Sequence, residues 1–250
     1  MQIVIANDRG ELGNVAAQKA AAFLQRTVAE RGQARLIVAT GSSQFEVLES
    51  LVTTPGIDWS RIDGFHLDEY IGISRSHAAS FCGYLAKRFV DRVPIRSFQF
   101  LDGTKDPSQV CAEVGQKLTE LPIDLALVGI GENGHLAFND PPADFETTQP
   151  YIIVSLDEAC RRQQVGEGWF DDLSQVPTHA ISMSIRQIMA TRHIICSVPD
   201  RRKAKAVADS VEGPVTSDVP ASILQQHPSV DLILDQTSAA LLDPRFRARP

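Results

Sequence analysis

The feature that most constrains this chain is a regular alternation of short, unbroken apolar runs with longer amphipathic stretches. The runs fall at Gln2–Ala6, Leu36–Ala39, Gly64–Leu67, Ser97–Leu101, Ile123–Val128, Tyr151–Val154, His193–Val198 and Asp231–Leu234. They are short and lack polar alternation, the pattern of strands covered on both faces in a parallel sheet. In the first intervening stretch, Leu12, Ala16, Ala20, Phe23, Leu24 and Val28 recur at three- and four-residue spacing. Gln18, Gln25, Arg26 and Glu30 fill the opposite face, and Gly32 supplies the stop. The same reasoning predicts helices over Ser43–Thr53, Ala78–Val90, Pro107–Leu118 and Arg201–Val211, with another beginning near Cys160. Strand–helix alternation implies an α/β fold: one domain over residues 1–242, with a mostly parallel twisted sheet flanked by helices. The 250 residues suffice for one large domain. Asn139–Pro150, NDPPADFETTQP, reads as a loop, and the tail Asp243–Pro250 as a fraying end.

The formal charge of −7 disfavours a broad basic surface for nucleic acid. No apolar run approaches the roughly 18 residues of a membrane span. The opening MQIVIANDRG carries Asp8 and Arg9 and does not read as a signal peptide. Cys82, Cys111, Cys160 and Cys196 form no CxxC pair, so reduced thiols in a cytoplasmic protein are expected, with no metal site.

In an open parallel sheet, ligands bind at the carboxyl ends of the strands. Four predicted strands end in suitable residues. Leu36–Ala39 runs into Thr40-Gly41-Ser42-Ser43, whose hydroxyls and backbone N–H groups can cradle a phosphate, although a plain capping turn explains the residues equally. Gly64–Leu67 runs into Asp68-Glu69, suggestive of a carboxylate general base in a cleft. Ile123–Val128 runs into GIGENGH, which delivers His135. His193–Val198 leads to Lys203 at a helix head, where a cation gains nothing from the helix dipole unless it faces an anion. GIGENG formally matches GxGxxG, but Pro141-Pro142 blocks the helix that dinucleotide binding requires. His66, Asp68, Glu69 and His135 together could be imagined as metal ligands, yet no pair shows metal-motif spacing.

Taken together, the segments ATGSS, HLDEYIGI, GIGENGHLAFNDP, KAKAVADSVEG and VPASILQQHP resemble the glucosamine-6-phosphate deaminase (isomerase) family, from roughly Leu36 to Ala240. The related 6-phosphogluconolactonases share a GxGxDGH loop but lack FNDP and LDEY. The resemblance implies a modified Rossmann-like fold of the deaminase and ribose-phosphate isomerase type. It also implies conversion of an amino-sugar 6-phosphate to a ketose 6-phosphate and ammonia, with no metal or organic cofactor and a homo-oligomer possible. By position, Asp68 is similar to the family's proton acceptor, His135 and Asp140 to its ring-opening pair, and Asn133 to a residue oriented toward that step. Thr40, Gly41, Ser42, Ser43 and Lys203 match its phosphate site. A sugar-phosphate lactonase and a non-catalytic sugar-phosphate sensor are the rival readings.

Three positions depart from the family pattern. Asp140 stands where most members have Glu, and Ser42-Ser43 where many have Gly-Gly. Gly166-Glu167-Gly168-Trp169-Phe170 lacks the Arg that usually precedes the aromatic pair. Arg161, or else Arg162, is expected to supply the missing cation to the phosphate.

Overall fold

The computed structural model describes residues 1–247. In chain order the elements begin β1 (Gln2–Ala6), α1 (Arg9–Arg31), β2 (Ala34–Val38), α2 (Phe45–Thr53), β3 (Ile62–His66) and β4 (Asp68–Tyr70). They continue with α3 (Phe81–Arg88), β5 (Ser97–Gln99), α4 (Pro107–Thr119), β6 (Leu125–Val128), β7 (Tyr151–Ser155) and α5 (Glu158–Gly166). The last are β8 (His179–Met183), α6 (Ile185–Met189), β9 (His193–Val198), α7 (Ala204–Glu212), β10 (Val230–Asp235) and α8 (Pro244–Arg247).

Seven of these strands form a sheet in the order β1-β10-β9-β6-β2-β3-β5, and every pairing in it is parallel. Because strand side chains alternate, each strand feeds two cores. Ile37, Ala126, Ile194 and Leu232 pack on one face, while Leu36, Leu125, Ile195 and Ile233 pack with α1 and α2 on the other. Burial on both faces is the physical reason for the unbroken apolar runs. α1 shows the local logic: Asp8 caps its start by accepting from the Glu11 N–H, and Gly32 closes it in the left-handed region at φ 76°.

The structure departs from the sequence reading in three places. Tyr151–Ser155 is not in the parallel sheet; it pairs antiparallel with β8, which pairs antiparallel with β4, forming a second three-stranded sheet. One side of β7 faces water, leaving Ile153 44% exposed, so the run is only half covered. The chain passes between sheets at Leu67, whose N–H bonds the Val38 carbonyl (3.2 Å) while its own carbonyl accepts from Met183 (2.9 Å). The helix expected over Ala78–Val90 starts later, because Ser80 caps it by accepting from the Gly83 N–H. The tail expected to fray forms a helical turn at Pro244–Arg247 with Phe246 against the core; residues 248–250 lie outside the described residues.

The connection from β2 leads to its neighbour β3, whereas β6 lies between β2 and β9. The carboxyl ends of β2 and β6 therefore flank a topological switch point, where an open sheet leaves a crevice. Thr40–Ser43 and Gly129–His135 emerge there.

Candidate active site

The crevice is a cleft of about 70 Å³ lined by Thr40–Ser43, Asp68, Gly129–Gly131, His135 and Lys203, and roofed by Gln163, Gln164 and Glu167 of the α5 region. The sheet thus converges on it the residues that the sequence assigned to four separate strand ends.

Asp68 opens β4 directly after the sheet change. It is buried, and its Oδ1 has no hydrogen-bond partner although it borders the cleft. Burial, reinforced by the charge of Glu69, pushes its pKa up to about 8. Glu69 points elsewhere: its carboxylate accepts from the N–H groups of Tyr70, Phe81 and Cys82 and from the Ser80 hydroxyl, at 2.7–3.2 Å. It is a structural carboxyl at the start of α3, and burial raises its pKa despite these four bonds. His66 is also fully buried, with Nδ1 facing Cys82 Sγ at 3.7 Å, and burial lowers its pKa to about 3. Neither His66 nor Glu69 lines the cleft, so the imagined four-ligand metal group is not assembled.

His135 rests on Gly131. A Cβ there would lie 2.3 Å from the imidazole, so only glycine allows the ring this close. His135 Nδ1 lies 3.0 Å from Asp140 Oδ1, so the shorter aspartate side chain does reach it. Asn133 orients both partners: its Nδ2 donates to Asp140 Oδ1 (3.0 Å), and its Oδ1 accepts from the His135 N–H (3.1 Å). The Asp157 N–H secures the other Asp140 oxygen at 3.1 Å. Burial works to raise the Asp140 carboxyl, but His135, Asn133 and Asp157 outweigh it and hold it below the usual carboxylate value. Cys160 lies behind this pair, and the ligand atoms of His135, Asp140 and Cys160 fall within 4.8 Å of one another. That donor set could meet a metal only through a reluctant thiol, because burial and the neighbouring Asp140 push the thiol far above its ordinary value.

At the opposite end, Gly41 (φ 85°) turns the chain after β2 into a short 3-10 turn over Ser42–Gln44. No side chain caps that turn, which answers the capping-turn alternative. Arg9 donates to the Ser42 carbonyl and holds the loop from below. Lys203, buried at the head of α7, completes this end, 3.5 Å from Glu167.

Arg161 does not reach the cleft. Its Nη2 donates to the carbonyls of Leu173 (2.6 Å) and Val176 (2.9 Å), pinning the segment after α5. Arg162 pairs with Glu158 in solvent. The assignment of Arg161 to the phosphate is therefore corrected: it lies on the face of α5 turned away from the cleft. The face turned toward the cleft carries Gln163, Gln164 and Glu167, which the sequence reading missed. With Cys160 they follow i, i+3, i+4, i+7 spacing, the buried-stripe period of a helix occupied by polar residues, and that was the available signal.

The family model described as glucosamine-6-phosphate isomerases/6-phosphogluconolactonase matches residues 7–233. The chain belongs to that family. The glucosamine-6-phosphate deaminase of Lactobacillus delbrueckii subsp. bulgaricus is 38% identical over 245 residues, covering 97% of this chain and 100% of the relative. The Oenococcus oeni enzyme of the same name is 35% identical, covering 98% and 100%. Among solved structures, a monomeric glucosamine-6-phosphate deaminase superposes with a TM-score of 0.87 at 29% identity, covering 96% of this chain and 100% of the other. The 6-phosphogluconolactonase of Trypanosoma brucei superposes at 0.80 with 16% identity, covering 97% and 98%, a likeness of fold alone. Family membership and the cleft thus rest on independent grounds, residue identity and geometry.

Proposed function

We propose that this protein converts glucosamine 6-phosphate to fructose 6-phosphate and ammonia by aldose–ketose isomerisation coupled to deamination. The observation that carries this reading is the unpartnered Asp68 oxygen facing the same cleft as the His135–Asp140 pair. Thr40–Ser43 and Lys203 would hold the phosphate at the far end. His135, oriented by Asp140 and Asn133, would relay a proton at the ring oxygen and open the pyranose. Asp68 would then remove the proton from C2 of the open-chain sugar and return it to C1. This converts the amino-aldehyde through an enolamine to a 2-imine, and water adds at C2 and releases ammonia.

A lactonase needs a base only against water, whereas the isomerisation needs one against a C–H bond, the task assigned to Asp68 here. Among the described residues no helix is long and apolar enough to cross a membrane. We place the enzyme in the cytoplasm on its four free cysteines, three of them buried. Purified protein is expected to yield ammonia and fructose 6-phosphate in equal amounts from glucosamine 6-phosphate and to leave 6-phosphogluconolactone untouched. Lactone hydrolysis without ammonia release would establish the rival, and binding of the sugar phosphate without turnover would establish a sensor.

A further inference from the structure

The phosphate end of the cleft already contains an anion. Glu167 and Lys203 are 4% and 5% exposed at their side chains, and they pair at 3.5 Å. Glu167 Oε1 also accepts from Gln163 Nε2 (2.8 Å) and Oε2 from Trp169 Nε1 (3.3 Å). Burial works to raise its carboxyl, but Lys203, Gln163, Trp169 and Ser42 outweigh it and keep it charged. Glu167 therefore draws on both the phosphate-loop Ser42 and Lys203, the groups that would receive a phosphate. A dianion cannot share them with a buried carboxylate without strong repulsion.

The carboxylate must therefore give way where a phosphate is to bind. Glu167 follows the last residue of α5 and is flanked by Gly166 and Gly168, the latter at φ 80°. A glycine on each side of the carboxylate leaves the backbone there without the restriction a Cβ imposes.

We propose that Glu167 is a stand-in for the substrate's phosphate: it occupies the subsite in the free enzyme, holds Lys203 charged and placed, and is displaced when the phosphate binds. This rests on the reading of Lys203 and Thr40–Ser43 as the phosphate site. Phosphate binding is then an exchange of anions. Glu167 lowers affinity for every phosphorylated ligand and penalises singly charged or weak ones most, because only a strong dianion recovers what the pair loses. Glu167 thereby sets specificity.

The probe is inorganic phosphate, measured by calorimetry and by competition against turnover. Glu167→Gln is expected to bind phosphate about tenfold tighter than the parent and to lower KM for the sugar phosphate more than it alters kcat. A merely structural role for Glu167 would instead misplace Lys203 and weaken phosphate binding, and unchanged or weaker binding overturns the proposal. Should the variant not fold, the parent protein still decides. Labelled with fluorotryptophan, it should show the Trp169 fluorine resonance shifting on phosphate addition as its bond to Glu167 breaks, with Trp59 unmoved. A static Trp169 resonance at saturating phosphate contradicts displacement. Absence of any phosphate binding by the parent would instead remove the phosphate subsite itself, and with it the site reading beneath this proposal.

Discussion

The two ends of the cleft each hold a buried carboxyl, and they are set in opposite states. Asp68 has an oxygen with no partner, and burial raises its pKa to about 8. Glu167 is buried to a similar degree but sits against Lys203, Gln163 and Trp169, and it is held below the usual carboxylate value. Burial alone would drive both toward the neutral form; the neighbours decide. An unpaired carboxyl kept near neutrality suits a base that must take a proton from carbon and give it back. A paired carboxylate suits a place-holder for an anion.

The strongest way to break this contrast is to remove the reactive carboxylate. Asp68→Asn should lower kcat by on the order of 10²–10⁴ while KM stays near the parent value, since it removes a general base and no binding group. The same change should stabilise the protein. A carboxyl whose folded pKa is raised from 3.8 to about 8 gives stability that is fully present below the lower value and lost as pH rises through the upper. The melting temperature of Asp68→Asn relative to the parent should therefore climb across that window and level off above it. A variant less stable than the parent at alkaline pH would mean that Asp68 is paired in solution.

His135→Gln comes next. It should slow turnover of the ring-closed sugar by about 10² and affect a substrate analogue locked in the open chain less. Equal losses on both forms would show that His135 also serves the later steps.

Lys203→Gln sharpens the other half of the contrast. It should raise KM for the sugar phosphate by about ten- to a hundredfold, with kcat less affected, because a charge-assisted contact to phosphate is lost. It also strands Glu167, which should then titrate well above its value in the parent. Arg161→Ala should have the smallest catalytic effect, with kcat/KM within about twofold of the parent. Loss of its two carbonyl contacts should lower stability by about 1–3 kcal/mol in denaturant unfolding.

The contrast between Arg161 and Glu167 also shows where sequence reading stops. Strands buried on both faces announce themselves as continuous apolar runs, so β1, β2, β6, β9 and β10 were legible, and so were the reactive residues that follow β2, β6 and β9. β4 escaped because its three residues, Asp68-Glu69-Tyr70, read as chemistry rather than as a strand. β8 escaped because the helix that sets it off, Ile185–Met189, is only five residues long. On α5, periodicity places Arg161 and Glu167 on different faces without saying which one meets the ligand. A cation facing the cleft is the sequence expectation, and the fold turns the polar stripe Gln163, Gln164 and Glu167 toward the cleft instead. What the sequence lacked there was the direction in which the second, antiparallel sheet carries the helix across the cleft.

The central claim is that Asp68 faces the substrate as a buried, unpaired carboxyl, and its own titration tests this most directly. In protein labelled with heavy carbon at the aspartate carboxyls, NMR should reveal one resonance, absent from Asp68→Asn, that titrates at about pH 8. Titration of that resonance near the ordinary value of 3.8 would contradict the account.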